Sequence, residues 1–295
     1  MKQNIFITGA DGKIGKVLLK ALVANGFSLI ALCRTEAERS SLSDLSVRTV
    51  TGDLLNVKSY SPYLKDVDIV VHMAAVTHTN DISRYYRINS QATLDLVNRC
   101  EEFGIRRFIY ISTRAISSAS GAYGESKLKA ENHVRESSLN WTIIRPAEVY
   151  GISGKEGVDM ILNKIHKFPF VPIIGDGKYM VAPVHVSNVI HAIVSVIENS
   201  AIKSKIYNIS GPESFTYNQF IDKVLILKGI KKKKINMPVY AFNVAAKFLA
   251  LIFKDRFIAI DQIPRLLSEK SSDISAAISD LDYDPDKLEE MFKNV

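Results

Sequence analysis

The sequence has little cysteine and no long hydrophobic run. Only two cysteines, Cys33 and Cys100, occur in 295 residues, and each stands alone in an apolar pattern, which argues against a disulfide framework or a cysteine-based metal site. A reducing compartment, the cytoplasm, is therefore expected. No apolar run reaches the roughly 18 to 20 residues that span a bilayer, because the best candidate, 238–253, is interrupted by Asn243 and Lys247.

Internal repeats, low-complexity linkers and metal-ligand patterns are also absent. The first predicted strand begins within the first few residues, so we expect no secretory signal peptide. His72, His185 and His191 lack the spacing of a metal site, and the first two lie in apolar strand patterns, which favours packing roles for them. The sequence thus predicts no metal centre.

Positive charge is in excess, with a net charge of +7. Much of the excess lies in the run Lys231 to Lys234, and no aromatic residues alternate with these lysines, so nucleic-acid binding is not predicted. We expect a solvated loop there. The apolar stripe Tyr240, Val244, Phe248 and Leu251 that follows is spaced like one helix face, so we expect it to pack into the small lobe. A basic run before such a stripe also fits weak attachment to an anionic membrane.

A glycine-rich turn near the N-terminus is the most informative stretch of the chain. Three glycines, Gly9, Gly12 and Gly15, follow the apolar run 5–7 and precede a helical pattern. In this spacing the first glycine allows a sharp turn, the second lets the backbone approach a pyrophosphate, and the third lets the helix pack on the strand. Backbone N–H groups and the positive end of the helix dipole then face the phosphates, so the turn predicts dinucleotide binding.

Short apolar strands alternate with helical segments along the first half of the chain. The predicted strands are 5–7, 28–33, 47–51, 69–73, 107–111, 141–144 and, later, 205–209. This alternation predicts an α/β protein with a Rossmann-like, doubly wound parallel sheet and a smaller, mostly helical C-terminal substrate lobe. We expect residues 1–150 to form the dinucleotide-binding domain, with 180–210 interleaved into it, and 151–295 to form the substrate lobe.

The end of the second strand bears on the choice of cofactor. An acidic residue there binds the adenosine ribose of NAD, whereas an arginine suits the 2′-phosphate of NADP. This chain has Cys33-Arg34-Thr35 at that point, with Glu36 two residues beyond the arginine. NADP is therefore predicted in preference to NAD, and a solvated loop charge is the alternative interpretation of Arg34.

A tyrosine and a lysine lie four residues apart in a predicted helix, at Tyr123 and Lys127. This spacing places both on one helical face, where the ammonium can stabilise the phenolate of a tyrosine that transfers a proton. A hydroxyl at the end of the fifth strand, from Thr113 or Ser112, would bind the same substrate oxygen. A pair of exposed side chains on a helix surface is the alternative.

Several motifs occur together, and their combination is more specific than any one of them. They are Thr8–Gly15, Gly52–Leu54, His72–Ala75, Asn89, Tyr123 with Lys127, Arg145–Gly151, Val184–Val186 and, less specifically, Gly175–Gly177 and Leu281–Pro285. Over nearly its whole length the chain resembles the extended short-chain dehydrogenase/reductase family, and within it the nucleotide-sugar epimerase/dehydratase branch.

The resemblance implies roles for individual residues. Asp53 is expected to contact the adenine, Lys127 to hold the nicotinamide ribose as well, and the C-terminal lobe to bind a nucleoside diphosphate. The residues expected at the cofactor are Gly9, Asp11, Gly12, Lys13, Ile14, Gly15, Arg34, Asp53, Leu54, Met73, Ala74, Ala75, Asn89, Tyr123, Lys127 and Pro146. A homodimer is compatible with the resemblance.

The chain departs from the family near the catalytic hydroxyl. Thr113 aligns with the family's serine, and only nine residues separate it from Tyr123. In the 4,6-dehydratases an Asp-Glu pair follows the catalytic threonine, whereas Arg114 and Ala115 stand here, which disfavours dehydration. Glu125 and Glu148 lie near the site in sequence, either to polarise a sugar hydroxyl or as solvated carboxylates.

We therefore expect an NAD(P)-dependent enzyme that transfers a hydride at C4 of a nucleotide-diphosphate sugar. It would act as a 4-keto reductase or a 4-epimerase in the synthesis of surface-polysaccharide precursors. Two alternatives stay open, namely an NADPH-dependent reductase of a non-sugar carbonyl, such as a steroid or phenolic ketone, and an NAD(P)-binding sensor without catalysis.

Overall fold

The computed structural model describes residues 3–152, 157–167, 169–241 and 262–292. Its strands are β1 (Asn4–Thr8), β2 (Ser28–Cys33), β3 (Arg48–Thr51), β4 (Ile69–His72), β5 (Arg107–Ile111), β6 (Asn140–Pro146), β7 (Val149–Tyr150), β8 (Val171–Ile174), β9 (Met180–Val181), β10 (Val184–His185), β11 (Lys205–Ile209), β12 (Phe215–Thr216) and β13 (Lys234–Met237).

Twelve α-helices occur in the described residues. They are α1 (Lys13–Ala24), α2 (Glu36–Ser40), α3 (Val57–Tyr60), α4 (Ile82–Arg84), α5 (Ala92–Glu102), α6 (Gly121–Glu136), α7 (Gly157–Lys164), α8 (Val186–Glu198), α9 (Tyr217–Leu227), α10 (Gln262–Leu267), α11 (Ser275–Leu281) and α12 (Leu288–Phe292). A π-helical segment, Tyr85–Gln91, joins α4 to α5.

A seven-stranded sheet forms the centre of the molecule, in the order β11-β6-β5-β4-β1-β2-β3. Every neighbouring pair in it is parallel. The predicted doubly wound sheet is therefore confirmed. Strand order reverses between β1 and β4, and in open parallel sheets ligands bind outside the carboxyl ends of the strands at such a point.

Alternate residues of the strands pack against opposite layers of helices. Ile5 and Ile7 of β1 belong to a core that includes residues of α1 and α8, whereas Phe6 belongs to a core that includes residues of α5 and α6. Side chains alternate between the two faces of a strand, so a sheet covered on both faces needs continuous apolar strands. This requirement explains why the central strands were readable from the sequence.

A smaller core lies in the second half of the chain and includes Tyr150, Ile173 and Phe220. Around it β13 pairs in parallel with β8, and β12 pairs antiparallel with β9. The sequence pattern did not predict β8 or β13. Pro172 lies inside β8, where it is tolerated because β8 pairs with β13 alone and the missing N–H removes no second ladder bond.

The lysine run is more ordered than the sequence indicated. Lys232 donates to the carbonyl oxygens of Ile165 and His166 at 2.8 and 2.6 Å, and Lys234 opens β13 and pairs with Asp222. The expectation of a solvated loop is therefore wrong for these two lysines.

Part of the predicted apolar stripe, Val244, Phe248 and Leu251, lies outside the described residues. Among the residues that are described, no helix combines the length and the apolarity needed to cross a membrane.

Several strand limits differ from the predicted ones by one or two residues. β6 runs on to Pro146 rather than ending at Ile144, because Arg145 and Pro146 still pair with β11. β4 ends at His72 rather than Met73. The extension of β6 brings Arg145 and Pro146 into the sheet, at the edge where its parallel strands end.

Candidate active site

The glycine turn connects β1 to α1 and lies against the end of β4. Gly9 has a φ of +70°, and a Cβ there would lie 2.7 Å from the backbone nitrogen of Ala74. A Cβ on Gly15 would lie 2.3 Å from the carbonyl oxygen of Gly9. Both glycines are thus required by close backbone contacts, and the predicted cofactor residues Gly9 and Ala74 lie together.

Helix α1 begins with its positive end at this turn. Gly12 is its N-cap, no side chain caps it, and its first turn, which includes Lys13 and Ile14, holds no acidic residue. Backbone N–H groups at such a helix start bind anions. The cradle formed by Gly9, Gly12 and Gly15 therefore fits the pyrophosphate of a dinucleotide.

Arg34 is held by a carboxylate that the sequence argument did not consider. Its backbone N–H and its guanidinium both donate to Glu38, at 2.5 and 2.8 Å, and its side chain is 60% exposed. Burial, followed by the negative charge of Glu38, raises the pKa of Asp11. Arg34 and the predicted cofactor residue Asp11 therefore share one electrostatic environment, in which the arginine is already neutralised.

The end of β3 carries the residues expected at the adenine. Asp53 is exposed, its carboxylate accepts the N–H of Leu55 at 2.9 Å, and its own N–H donates to Ser59. Leu54 is buried beneath it. The neighbouring Gly52 donates to the carbonyl oxygen of Cys33 at the end of β2, which places this turn beside Arg34.

Asn89 is buried in the π-helical segment and is bonded within the protein. Its amide accepts the N–H of Val76 at 2.8 Å and donates to Val76 O and Ser126 Oγ. Ser126 in turn donates to the carbonyl oxygen of Tyr123. Asn89 thus ties the loop that holds Ala74 and Ala75 to helix α6.

A buried chain of hydrogen bonds runs from the glycine turn to Asn89. Thr8 Oγ1 accepts the N–H groups of Met73 and Ala74, so its proton goes to His72 Nδ1 at 2.6 Å. The other ring nitrogen of His72 then donates to Thr93, which donates to Asn89 O. Burial and the nearby Lys127 lower the pKa of His72 to about 3, so His72 stays neutral, and the predicted packing role fits this geometry.

Tyr123 and Lys127 are both buried at the start of α6, with exposed fractions of 4% and 1%. Lys127 Nζ donates to the carbonyl oxygen of Ile111 at 2.8 Å and lies 4.1 Å from the ring centroid of Tyr110. Burial lowers the pKa of Lys127 to about 7, opposed by Glu131 and reinforced by Arg265. The alternative of an exposed helix-surface pair is therefore wrong.

Gly124 lets the start of α6 approach the preceding loop. A Cβ on Gly124 would lie 2.3 Å from the Cβ of Ser120 and 2.7 Å from the carbonyl oxygen of Ala115. The glycine inside the Tyr-Gly-Glu-Ser-Lys stretch is thus a packing requirement of the site. The sequence alone does not predict this requirement, because a helical glycine has no positional signal of its own.

The two candidate hydroxyls follow β5. Thr113 Oγ1 accepts the N–H of Ala115 at 3.2 Å, which leaves its own proton available to a substrate oxygen. Ser112 Oγ is buried and has no hydrogen-bond partner in the described part of the chain. Both hydroxyls therefore lie two residues or less beyond Ile111, the residue that binds Lys127.

The two candidate carboxylates are paired with cations. Glu125 accepts the phenol proton of Tyr86 at 2.7 Å and pairs with Lys129. Although burial alone raises the pKa of Glu148, the cations of Arg114 and Lys270 hold it below its usual value. The description of Glu148 as a solvated carboxylate is therefore wrong.

Pro146, the last predicted cofactor residue, lies at the end of β6, where its carbonyl oxygen accepts the N–H of Arg114 at 3.0 Å. Glu148 follows two residues later, just beyond the end of β6. Predicted residues from the ends of β1, β4, β5 and β6 thus surround one region. No group of three or more metal-ligating side chains occurs among the described residues.

A glycine cradle at a helix start, a parallel sheet and a buried Tyr-Lys pair define a dinucleotide-binding oxidoreductase. The family model described as NAD(P)H-binding matches residues 9–164, more than half of the chain. The chain belongs to this NAD(P)H-binding family, and the resemblance to the extended short-chain dehydrogenase/reductase type is confirmed.

Similar proteins extend over most of the chain. The sterol-4-alpha-carboxylate 3-dehydrogenase (decarboxylating) of Dictyostelium discoideum is 27% identical, and the alignment covers 80% of this chain and 79% of that protein. The UDP-glucose 4-epimerase of Vibrio cholerae is 23% identical, with 99% and 94% covered. The UDP-glucuronic acid 4-epimerase of Bacillus cereus, solved with UDP-glucuronic acid and NAD, shares the fold with a TM-score of 0.77 at 22% identity, with 99% and 97% covered.

Proposed function

We propose that this enzyme transfers a hydride at C4 of a nucleotide-diphosphate sugar, as a 4-keto reductase or a 4-epimerase, in surface-polysaccharide precursor synthesis. The observation that carries the proposal is the burial of Tyr123 and Lys127 beside the ends of the strands that hold the glycine cradle. Similarity to a UDP-glucose 4-epimerase along 99% of the chain supports the sugar-nucleotide class.

The protein residues divide the work around the reacting oxygen. Tyr123 exchanges the proton with the sugar oxygen at C4, Thr113 donates a hydrogen bond to that oxygen, and Lys127 holds the nicotinamide ribose and stabilises the phenolate. Ser112 is the alternative hydroxyl. When bound, the nicotinamide supplies or accepts the hydride.

Dehydration is not part of the proposal. The two positions after Thr113, where dehydratases of this family carry an acid pair, hold Arg114 and Ala115. The guanidinium of Arg114 is bonded to Glu148 at 2.6 Å, and an arginine does not release a proton at working pH. These two positions therefore supply neither an acid nor a base for the elimination of water.

The proposed cofactor is NADP in preference to NAD, on the basis of Arg34. Glu38 opposes this preference, because it neutralises the guanidinium and adds negative charge beside Asp11. Selectivity is thus proposed to depend on whether a 2′-phosphate displaces Glu38 from Arg34.

The proposed domains are residues 1–150, with 180–210 interleaved, and the substrate lobe 151–295. Pairing of β11 with β6 supports the interleaving, and the separate core around Ile173 and Phe220 supports the lobe. A nucleoside diphosphate would bind between these parts. A homodimer, cytoplasmic location and the absence of nucleic-acid partners stay expectations from the sequence.

Oxidation of NADPH with UDP-4-keto sugars tests the proposal. Wild-type enzyme should oxidise NADPH, and Tyr123→Phe should not. The control Tyr240→Phe, at a tyrosine that is 74% exposed, should behave as wild type. Mass spectrometry of small molecules released from the purified protein would identify a co-purified sugar nucleotide. No turnover with any keto-sugar nucleotide, together with no binding of UDP, would reject the sugar-nucleotide class.

A second candidate is a reductase of a non-sugar carbonyl. It is favoured by the 27% identity to a sterol-carboxylate dehydrogenase over 80% of this chain. This candidate predicts NADPH oxidation with a steroid or phenolic ketone and no affinity for UDP in calorimetry. A sensor without catalysis would need neither Tyr123 nor Lys127, and both are present.

A further inference from the structure

A segment from the C-terminal part of the chain covers the start of the catalytic helix. We name residues 262–273, which comprise α10 and the chain that follows it, the C-terminal strap. Ser268 accepts a hydrogen bond from Ser120 at 2.9 Å, and Ser272 accepts one from Arg114 at 2.6 Å. The strap is thus bonded to residues on both sides of the loop between Thr113 and Tyr123.

Buried charges hold the strap in place. The side chains of Arg114 and Lys270 are each 2% exposed, and both pair with Glu148, at 2.6 and 3.7 Å. Removing one partner of a buried ion pair leaves an uncompensated charge, which is costly. The position of the strap relative to the residue next to Thr113 is therefore firmly determined.

The strap brings one more cation to the catalytic tyrosine. The guanidinium carbon of Arg265 lies 4.4 Å from the ring centroid of Tyr123. The edge of Tyr85 contacts the same ring, with centroids 5.9 Å apart and ring planes at 71°. The Tyr123 ring thus contacts both Tyr85 and Arg265, and the contact with Arg265 has the geometry of a cation–π interaction.

We propose that Arg265 is a positioning residue for Tyr123, which fixes its ring and keeps a permanent positive charge beside the phenolate. The proposal rests on the proposed function, in which the Tyr123 O–H bond breaks, its proton goes to the C4 oxygen as the hydride reaches C4, and the electron pair stays on the phenol oxygen. The ring of a phenolate is richer in electrons than that of a phenol, so a stacked cation binds this state more strongly.

Lys127 and Arg265 supply positive charge in different ways. The ammonium of Lys127 is bonded to Ile111 O, and burial lowers its pKa to about 7. An arginine keeps its charge at every working pH. The charged groups that act on Lys127 are Glu131 and Arg265, and its other neighbours are the Tyr110 ring and the Ile111 carbonyl.

Arg265→Gln, Arg265→Lys and a control, Arg135→Gln, test the proposal. Arg135 is an exposed arginine on the same helix as Tyr123, near its other end. Turnover of a keto-sugar nucleotide should fall on the order of tenfold in Arg265→Gln, with NADPH affinity within about twofold. Arg265→Lys should recover most of the rate, because it restores the charge, and Arg135→Gln should match wild type.

A second measurement needs no substrate. The tyrosinate absorbance of each protein is followed against pH. The contribution of Tyr123 is obtained by subtracting the absorbance of the same protein carrying Tyr123→Phe. The band should develop at higher pH in Arg265→Gln than in wild type, with Arg265→Lys between them. Circular dichroism establishes whether each variant is folded. If Arg265→Gln is not folded, Arg265→Lys is compared with wild type instead.

Unchanged turnover and an unchanged tyrosinate band in Arg265→Gln would overturn the proposal. A lower rate that Arg265→Lys does not recover, with an unchanged band, would also overturn it, since only structural damage would remain. If wild type turns over no keto-sugar nucleotide and also binds no UDP, the proposed function fails, and the tyrosinate measurement alone decides the role of Arg265.

Discussion

At the scale of single residues, charge balance decides what the cofactor site binds. Arg34 was readable from the sequence because it follows β2 directly, but its partner Glu38 lies on the next helix and was not. The pair is exposed on the arginine side, so its attraction is worth at most about 1 kcal/mol. A dianionic 2′-phosphate can therefore displace the Glu38 carboxylate from Arg34, because breaking the pair costs so little.

Substitutions at the pair should move cofactor preference in opposite directions. We expect NADPH to bind more tightly than NADH, Arg34→Asp to reverse the order, and Glu38→Gln to raise the preference for NADPH, because it frees the guanidinium. Titration of cofactor fluorescence with each protein measures the ratio. Tighter NADH binding by both wild type and Glu38→Gln would show that Arg34 does not select the cofactor.

At the scale of secondary-structure elements, the sequence predicted what local patterns determine. The limits of β2 and β5 agree with the predicted ones, because a strand buried on both faces is a continuous apolar run that ends at polar or glycine residues. The limits of β11 agree as well, although it is an edge strand that contains Lys205 and Asn208. The contacts of Arg265 with Tyr123 and of Lys270 with Glu148 were not predictable, because each joins residues more than a hundred positions apart and leaves no periodic signal.

The small lobe shows the same limit. β8 contains a proline and β13 begins in a lysine run, so both look like loops until they pair with each other. Tertiary pairing overrides local propensity in such strands. The Gly-rich turn was predictable for the opposite reason, since close backbone contacts require glycine at fixed spacing.

Two glycines with similar positive φ angles should respond differently to alanine. Gly9 and Gly104 have φ of +70° and +67°, but a Cβ on Gly104 meets nothing within 4 Å, whereas one on Gly9 meets Ala74. Gly104→Ala should cost about 1 kcal/mol of unfolding free energy, through backbone strain alone. Gly9→Ala should cost more and should weaken cofactor binding over tenfold by an order-of-magnitude estimate.

Urea unfolding and cofactor titration of the two variants provide the comparison. Equal losses of stability, with cofactor affinity kept in both proteins, would contradict the assignment of the glycine cradle to the cofactor.

At the scale of the whole molecule, the positive charge raises the question of membrane contact. Lys232 and Lys234 are bonded within the small lobe, which leaves Lys231 and Lys233 as exposed lysines of the run. Each contributes about 1 kcal/mol near an anionic surface. Attachment through two such residues is weak and is screened by salt.

Sedimentation with vesicles that contain phosphatidylserine tests this expectation. Pelleting should be slight at low salt, vanish at high salt, and fall in the double variant Lys231→Gln/Lys233→Gln. The control Lys20→Gln/Lys58→Gln removes the same charge from exposed positions elsewhere. Pelleting that survives high salt would instead mean apolar insertion.

The central claim concerns the whole assembly, in which α6 brings Tyr123 and Lys127 to the ends of the strands that hold the cofactor cradle. If both act as one catalytic unit, Tyr123→Phe should lower turnover by about 10²- to 10⁴-fold while cofactor affinity stays nearly unchanged. Lys127→Met should lower turnover and also weaken cofactor binding. Thr113→Val should reduce the rate more than Ser112→Ala, and the reverse order would assign the hydroxyl to Ser112.

The most direct measurement is the turnover number of Tyr123→Phe, Lys127→Met and the double variant on one identified substrate, with cofactor affinity measured in parallel. Residues that act as a unit give non-additive losses. The account predicts that the double variant turns over hardly more slowly than Tyr123→Phe alone. Near-wild-type turnover of Tyr123→Phe would contradict it and would leave the glycine cradle as evidence of cofactor binding only.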